Sequence, residues 1–319
     1  MKLYFAPLEG YTDAVYRRVH ARHFSGVDKY FMPFISPSES LTFTRREMAD
    51  LSPAQNAGVP AVPQILARRA DYFLGTARML RDMGYSEVNL NLGCPSGTVT
   101  AKGKGAGFLR DLDGLARFLD SVCARCPLPL SVKTRIGMDG EEEWPRVLNL
   151  LSRYPFAEWI LHPRTGREQY RGAPRENCYA QARAVAPCPV IYNGDLFTAP
   201  DAWAFLGRHL AAPGLMLGRG LLTNPALARE IRGGGELTKD EITAFHDALY
   251  REYLLFWPES AAVGRMHAVM GYLSQALEHP SPLLRVLKRA TRGEAYLEAA
   301  AALFRQSEVK RPPRFVPPA

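Results

Sequence analysis

Eight short apolar runs recur along this chain of 319 residues, and each ends in a polar cluster or in glycine and proline. Runs this apolar are typical of strands buried on both faces of a parallel sheet. From Leu8 to Gly218 their ends lie about 30 residues apart on average, which is the length of one βα unit. The predicted strands are Leu3–Leu8, Lys29–Ile35, Ala61–Leu66, Glu87–Leu92, Leu128–Arg135, Trp159–His162, Val190–Asn193 and Gly214–Gly218.

Stretches with helical spacing lie between the predicted strands, as at Arg68–Met83 and Leu112–Arg125. Eight βα units in succession predict the α/β class and a (β/α)8 TIM barrel. A doubly wound open sheet is the alternative, because the local pattern does not show whether the sheet closes.

The character of the chain changes after Gly218. Three successive glycines interrupt the pattern at residues 233–235, and Thr238 with Glu241 then predicts a capping box at the start of a helix. Helical patterns follow at Ile242–Phe256, Ala261–Leu277, Leu283–Thr291 and Glu294–Phe304. We therefore expect a barrel over residues 1–235, a C-terminal helical domain over 236–310 and a Pro-rich tail over 311–319.

Composition and charge narrow the classes of function. The chain is 47% hydrophobic and 23% charged, the profile of a globular protein. Lysine and arginine number 40 against 32 acidic residues, and the resulting charge of +8 favours a polyanionic partner without requiring one. Five cysteines are an odd and sparse set for a disulfide scaffold, so we expect a reduced, cytoplasmic protein.

Neither a membrane nor a metal is indicated. The apolar runs fall well short of the ~20 residues that a membrane span needs. The opening residues 1–10 are interpreted as a first strand, since a signal peptide has a longer apolar region. Cys123 and Cys126 form a single C-x-x-C without the second pair of a zinc site, and the histidines do not cluster. We assign no metal, and we expect a monomer.

Polar residues collect where the predicted strands end, which is where TIM barrels place their active sites. Residues two apart on a strand share a side, so three same-side pairs are predicted, namely Asn89 with Asn91, Lys133 with Arg135, and His162 with Arg164. Any one of these residues alone fits a structural role, but seven of the eight strand ends carry such groups. The other strand-end residues are Pro7, Leu8, Glu9, Gln64, Asn193, Gly194, Asp195, Gly218, Arg219 and Gly220.

The last two strand ends have the composition of a phosphate site. Glycines at 194, 218 and 220 allow backbone N–H groups to approach an anion, and loops after strands seven and eight bind phosphate in many such barrels. Arg219 adds a charged fork, although tight turns without a ligand would look the same. Gln64 and Lys133 on neighbouring strands suit the pyrimidine edge of a flavin, so we expect a flavin mononucleotide.

Cys94 is the candidate reacting side chain. Gly93 permits a sharp turn and Pro95 favours an extended conformation for the cysteine, so a loop can present the thiol. With an ordinary pKa of ~8.5, a thiol is mostly protonated at neutral pH and can donate a proton. An inert buried thiol is the alternative for Cys94, and it is the interpretation we give the other four cysteines.

The chain resembles the bacterial tRNA-dihydrouridine synthases, FMN-dependent flavoproteins that reduce uridine in tRNA. The likeness covers nearly the whole length, and its most specific element is Asn91 to Pro95, which reads Asn-Leu-Gly-Cys-Pro. It also rests on residues 6–10 with 12–13, 104–107 with 109, 133–135, 162–165 with 169–170, 193–195, and 218–220 with 224–225.

The resemblance implies a role for each matching residue. Asn91 and Arg135 would position the uracil, and Cys94 would donate a proton to C5 after hydride passes from flavin N5 to C6. NADPH would be the reductant, and the substrate would be a uridine flipped out of tRNA. The FMN ligands would be Pro7, Leu8, Glu9, Gln64, Lys133, His162, Asn193, Gly194, Asp195, Gly218 and Arg219.

In the family, RNA binds the helical domain. Four basic residues there have spacings of i, i+3, i+4 and i+7, which would place them on one helical face, and they are Arg285, Lys288, Arg289 and Arg292. A solvated basic face without a partner is the alternative.

Two other functions stay open at this stage. An FMN barrel similar to dihydroorotate dehydrogenase, acting on a free small molecule, would have similar site chemistry but no need of a helical domain. A non-catalytic RNA-binding protein on an enzyme-derived scaffold would bind no flavin.

Overall fold

The structure is a computed structural model that describes residues 1–278 and 281–316. It divides into two compact units that alternate along the chain. The first consists of residues 1–7, 29–195 and 209–216, and the second of residues 8–28, 196–208 and the described residues from Leu217 onward.

The first unit is built on parallel strands and the helices between them. Its helices are α3 (Ala70–Asp82), α5 (Leu112–Arg125), α6 (Trp144–Leu151) and α7 (Glu176–Val185), with short helices α2 (Arg45–Leu51) and α4 (Gly97–Thr100). Its strands are β1 (Lys2–Phe5), β2 (Lys29–Phe31), β3 (Ala61–Val62), β4 (Gln64–Ile65), β5 (Val88–Leu92), β6 (Leu130–Arg135), β7 (Trp159–His162), β8 (Val190–Tyr192) and β9 (Gly214–Leu217).

The sheet closes through one extended segment interrupted at Pro63. The strand order is β3-β2-β1-β9-β8-β7-β6-β5-β4, so β3 and β4 form the two ends of the order although only one residue separates them. Tyr30 pairs with Ala61 on one side of this segment, and Gln64 pairs with Asn89 on the other. Pro63 has no N–H to donate, but its carbonyl accepts the Asn89 N–H at 2.9 Å. If β3 and β4 are counted as one strand, the nine short strands make eight barrel strands. This confirms the predicted TIM barrel and excludes the open sheet.

Each predicted strand overlaps an observed strand, because a strand buried on both faces shows a nearly continuous apolar run. The helix predicted at Leu112–Arg125 has these same bounds, and α3 lies within the predicted Arg68–Met83.

The second unit is helical. It holds α1 (Ala14–His23), where the Asp13 carboxylate caps the helix by accepting the Tyr16 N–H at 3.0 Å. Further helices are α8 (Ala199–Arg208), α9 (Arg219–Thr223), α10 (Leu227–Ile231), α11 (Lys239–Leu254), α12 (Glu259–Leu273), α13 (Ser281–Arg289) and α14 (Gly293–Arg305). Two short strands, β10 (Leu277–Glu278) and β11 (Glu308–Val309), pair antiparallel.

Helix α1 packs against α11 through aromatic rings. Phe245 of α11 meets Tyr16 and Phe24 edge-on, at centroid distances of 5.6 and 5.3 Å. The Thr238–Glu241 capping box predicted at the start of α11 is present. The domain boundary near residue 235 remains a prediction. Within the described ranges, no helix has the length and apolar character that a membrane crossing requires.

Lys29 gives a test of the barrel's stability. Its ammonium lies 2.5 Å from Glu87 and 2.9 Å from Glu158, whose side chains are only 13% and 15% exposed. Lys29→Ala would leave both carboxylates without this cation, so we expect a loss of about 2 kcal/mol in the free energy of unfolding, measured in urea. Lys2→Ala, which removes an exposed lysine on the neighbouring strand, should change it by less than about 0.5 kcal/mol.

The stability difference between the wild type and Lys29→Ala should depend on pH. Desolvation lowers the pKa of Lys29, but the hydrogen bonds and charges of the two glutamates outweigh it and raise that pKa above 10.5. The contribution of Lys29 is therefore complete below pH 10.5 and is lost as the pH rises through the folded-state value. A difference between wild type and variant that widens above pH 10.5 would contradict this assignment.

Candidate active site

A chain of hydrogen bonds with a defined direction crosses the polar side chains of β4, β5 and β6. The Asn91 side-chain oxygen accepts the backbone N–H groups of Gly93 and Cys94, at 3.0 and 2.9 Å. Because a backbone N–H only donates, the orientation of the Asn91 amide is fixed, and its nitrogen donates to Gln64 Oε1 at 2.7 Å. Gln64 then donates to Asn89 Oδ1, also at 2.7 Å.

This series of hydrogen bonds ends on a carboxylate. Asn89 donates to Ser131 Oγ at 2.8 Å, and Ser131 donates to Glu87 Oε1 at 2.8 Å. A carboxylate only accepts, so both ends of the chain impose the same direction. Gln64 and Asn91 each keep one N–H beyond these bonds, and Gln64 Oε1 keeps one lone pair. Their hydrogen-bonding pattern toward a ligand is therefore set in advance.

Cys94 is half-buried in a loop that the same network holds. Its backbone carbonyl accepts the Ala106 N–H at 3.0 Å, which folds residues 104–107 back onto it. Gly105 makes this approach possible, because it has φ of +56° and a Cβ there would lie 2.7 Å from the Cys94 carbonyl oxygen. The loop is therefore fixed at both ends of the cysteine.

Two cations of β6 lie beside this loop. Lys133 pairs in register with Asn91, and Arg135 pairs with His162, so the strands set these four residues in two adjacent rows. Desolvation and the charge of Arg135 lower the pKa of Lys133 to about 7, although Cys94 acts in the opposite direction. In the part of the chain that the structure describes, neither cation has a carboxylate within 4.0 Å, so the site favours an anionic or electron-rich ligand.

Arg135 is also a structural anchor. It is 2% exposed, and it donates to the carbonyls of Gly93 at 3.0 Å and Thr165 at 2.7 Å. Desolvation lowers the pKa of Arg135 to about 10, although the charge interaction with the Tyr170 hydroxyl acts in the opposite direction. The guanidinium thus ties the loop before Cys94 to the loop after β7.

The buried side chains of His162 and Arg164 form a group with Asp195, which is half-buried. Arg164 donates to His162 Nε2 at 3.2 Å and forms an ion pair with the Asp195 carboxylate. Since a guanidinium only donates, Nε2 is the accepting nitrogen of a neutral imidazole and the proton is on Nδ1. Both oxygens of Asp195 accept hydrogen bonds from Arg164, and the contact of Asp195 with the cofactor stays a prediction.

Residues after β8 have their own packing constraints. The side chain of Asn193 donates to the Met216 carbonyl at 2.8 Å, which ties it to β9. A Cβ on Gly194 would lie 2.1 Å from the Tyr192 hydroxyl, so a larger residue at this position would displace the Tyr192 side chain.

Neither Arg164 nor Tyr170 is among the ligands predicted from the sequence, and the structure places both beside His162. Tyr170 is 47% exposed, and its ring lies 6.1 Å from the His162 ring and 5.7 Å from the Arg135 guanidinium. Gln169 before it has φ of +54°, an uncommon conformation for a residue other than glycine. The sequence signal for Tyr170 is the pair Gln169–Tyr170, which is among the residues that carry the family resemblance.

The remaining candidates are spread over both units. Pro7 of the first unit is half-buried after β1. In the second unit the Leu8 N–H donates to Thr12 Oγ1 at 2.9 Å, Glu9 is exposed, and Gly218 caps α9, which begins at Arg219.

The basic residues of the helical part are all exposed, but they do not share one helix. Helix α13 ends at Arg289, and Arg292 is the N-cap of α14. The spacing i to i+7 assumed one continuous helix, so only Arg285, Lys288 and Arg289 lie on the predicted helix. Among the described residues, no group of three His, Cys, Asp or Glu side chains is arranged to hold a metal.

Comparisons with known proteins return one family. The dihydrouridine synthase (Dus) family model matches residues 4–305. A probable tRNA-dihydrouridine synthase of Rhodobacter capsulatus is 28% identical over 313 residues, covering 95% of this chain and 94% of that protein. The tRNA-dihydrouridine(16) synthase of Cupriavidus necator is 30% identical over 239 residues, covering 73% and 74%.

Solved structures share the fold. The old yellow enzyme homologue from Zymomonas mobilis aligns with a TM-score of 0.54 at 14% identity, covering 76% of this chain and 92% of that one. Histamine dehydrogenase from Rhizobium sp. 4-9 aligns with a TM-score of 0.55 at 12% identity, and the alignment covers 77% of this chain but only 49% of that one. At these identities the likeness supports the barrel fold alone.

The lowered pKa of Lys133 predicts a distinctive titration. After reductive ¹³C-methylation of the flavin-free protein, the Lys133 resonance should titrate near pH 7 by NMR. The Lys133→Met variant should lack this resonance. Because the folded-state pKa lies below the unfolded one, Lys133 should make stability rise with pH between about 7 and 10.4. The absence of any lysine resonance that titrates near pH 7 would contradict the assignment.

Proposed function

This chain belongs to the dihydrouridine synthase family, and from this premise we propose that it is a tRNA-dihydrouridine synthase with FMN as cofactor and NADPH as reductant. In this proposal it saturates the 5,6 double bond of a uridine that has left the base stack of tRNA. The observation that carries the proposal is the place of Cys94, held by Asn91 beside two cations that lack a carboxylate partner within the described residues.

The donor set fits a flavin. Gln64 offers one N–H and one lone pair, which matches the alternating donors and acceptors of the isoalloxazine pyrimidine edge. Lys133 offers a cation that burial has made costly, and an electron-rich ring edge would stabilise it. We propose His162, Asn193, Gly194, Pro7, Leu8 and Glu9 as further contacts, with Gly218 and Arg219 as phosphate ligands. When bound, the flavin supplies the hydride that reduces the pyrimidine.

The residues of the chain would then orient the uracil and deliver its proton. Asn91 keeps an N–H for a uracil carbonyl, and Arg135 places a second charged donor beside it. The Cys94 thiol would hold the proton until it passes to C5, and the fixed loop would keep the sulfur in reach of that carbon.

A thiol acid predicts the effect of one substitution. Nucleoside mass spectrometry of tRNA incubated with the protein, FMN and NADPH should show a uridine that has gained two hydrogens. Cys94→Ala should lower the rate of this gain by about 10²- to 10⁴-fold, since a positioned acid contributes an effect of that size. Cys123→Ala, which removes a thiol whose pKa burial raises to about 11, should leave the rate unchanged.

Other outcomes decide against the proposal. An unchanged rate for Cys94→Ala would remove the thiol from the mechanism. Turnover of free dihydroorotate with no action on RNA would identify an oxidoreductase of small molecules. Mapping the product along the tRNA identifies the uridine, and position 16 is the first to inspect because several relatives carry it in their names.

The exposed basic residues of α13 predict how the RNA binds. Replacing Arg285 and Lys288 with Gln should weaken tRNA binding and reduce the slope of log K against log salt by about 1 to 2, as expected for two lost phosphate contacts. Replacing the exposed Arg146 of α6 and the exposed Arg153, which follows that helix, with Gln changes the net charge equally and should leave the slope unchanged. Equal effects of the two double variants would contradict a specific RNA surface at α13.

A further inference from the structure

Two aromatic rings contact the guanidinium of Arg219. Its central carbon lies 5.3 Å from the centroid of Phe197, which precedes α8, and 4.9 Å from the centroid of Phe315, near the end of the described chain. The two rings also pack against each other, with centroids 5.2 Å apart. Arginine stacks on aromatic faces readily because its charge is delocalised over a flat group.

The segment that carries Phe315 is firmly attached. The Lys310 N–H donates to the Ala276 carbonyl at 2.8 Å, directly after the pairing of β10 with β11. Arg314 donates to both oxygens of Asp201, at 3.0 and 3.1 Å, and the Val316 N–H donates to Gln275 Oε1 at 2.8 Å. Residues 310–316 therefore stay in place through contacts that do not depend on the Phe315 ring.

The Phe315 ring is itself buried. It is 4% exposed, and on another side it stacks with Tyr272 of α12 at a centroid distance of 5.5 Å and an interplanar angle of 24°. The position of the ring is thus determined by α12 and by the segment that carries it, so the ring gives Arg219 a rigid neighbour.

Stacking on two rings holds the plane of a guanidinium in one orientation, and the in-plane N–H groups are the donors that bind a phosphate in bidentate fashion. A long side chain such as arginine loses rotamer freedom when it binds a ligand, and a side chain already held in one geometry loses less. An arginine fixed by two rings is therefore better prepared to bind phosphate than a mobile one.

We propose that Phe315 is a positioning residue that holds Arg219 ready for the phosphate of the cofactor. This inference rests on the proposed function, in which Arg219 is a phosphate ligand. It gives the Pro-rich C-terminal segment a part in cofactor selection, namely the preference for FMN over riboflavin, which has the same ring system without the phosphate.

The test compares the two flavins. The full-length, flavin-free chain is titrated with FMN and with riboflavin, and binding is followed by flavin fluorescence. Phe315→Leu keeps an apolar side chain and removes the aromatic face, so we expect the Kd for FMN to rise about three- to tenfold and that for riboflavin to change less than about twofold. Phe315→Tyr should restore the preference, and Val316→Ala, at a neighbouring side chain that is 61% exposed, should not alter it.

Arg219→Ala separates this inference from the proposed function. It should abolish most of the FMN preference, and adding Phe315→Leu to it should cause no further loss, because the ring acts through the arginine. Equal weakening of both flavins by Phe315→Leu, or no effect where Arg219→Ala has one, would overturn the role of Phe315 alone. If Arg219→Ala leaves the preference intact, the phosphate assignment fails and this inference fails with it. If the wild type binds neither flavin, the proposed function itself is wrong.

Discussion

The backbone N–H groups of Gly93 and Cys94 can only donate, and this constraint sets the direction of the hydrogen bonds among the polar side chains of β4, β5 and β6. It orients Asn91, then Gln64, and the remaining bonds run to the carboxylate of Glu87. A buried polar network of this kind is stable only when its members are satisfied, and here both ends require the same direction. The same hydrogen bonds thus hold the loop that carries the candidate acid and orient the amides that would face the ligands.

Unlike the polar side chains of this network, two of the charged side chains in the site have no partner of opposite charge among the described residues. Lys133 and Arg135 are held where water is scarce, and neither has a carboxylate partner among the described residues, so each gains when a ligand supplies negative charge. Arg164, by contrast, is neutralised by Asp195 and serves to fix His162 in one tautomer. The charges of Lys133 and Arg135 would thus be compensated by a ligand, whereas Arg164 orients a neighbouring side chain. The proposed chemistry needs both kinds of cation.

Much of this was predictable from the sequence, for physical reasons. Strands buried on both faces show as apolar runs, and strand-end residues point to the site because a parallel barrel brings those ends to one edge. Closure was not predictable, since it depends on Pro63 dividing one segment between two distant partners. Nor was the role of Asp195, whose commitment to Arg164 needs coordinates, or the attachment of Phe315, because a Pro-rich terminus gives no periodic signal. Arg292 lies outside α13 because this helix ends at Arg289, and the spacing of the basic residues does not reveal that end.

In the proposed function, a flavin ring lies against Gln64 and Lys133, and the Cys94 sulfur faces the space above the ring. A crystal structure of the FMN-loaded protein would show whether these contacts exist. We expect the pyrimidine edge of the ring within hydrogen-bond distance of the Gln64 amide and the Lys133 ammonium, with the sulfur on the open side of the ring. A ring bound away from these two side chains, or a sulfur directed away from it, would rule out this arrangement.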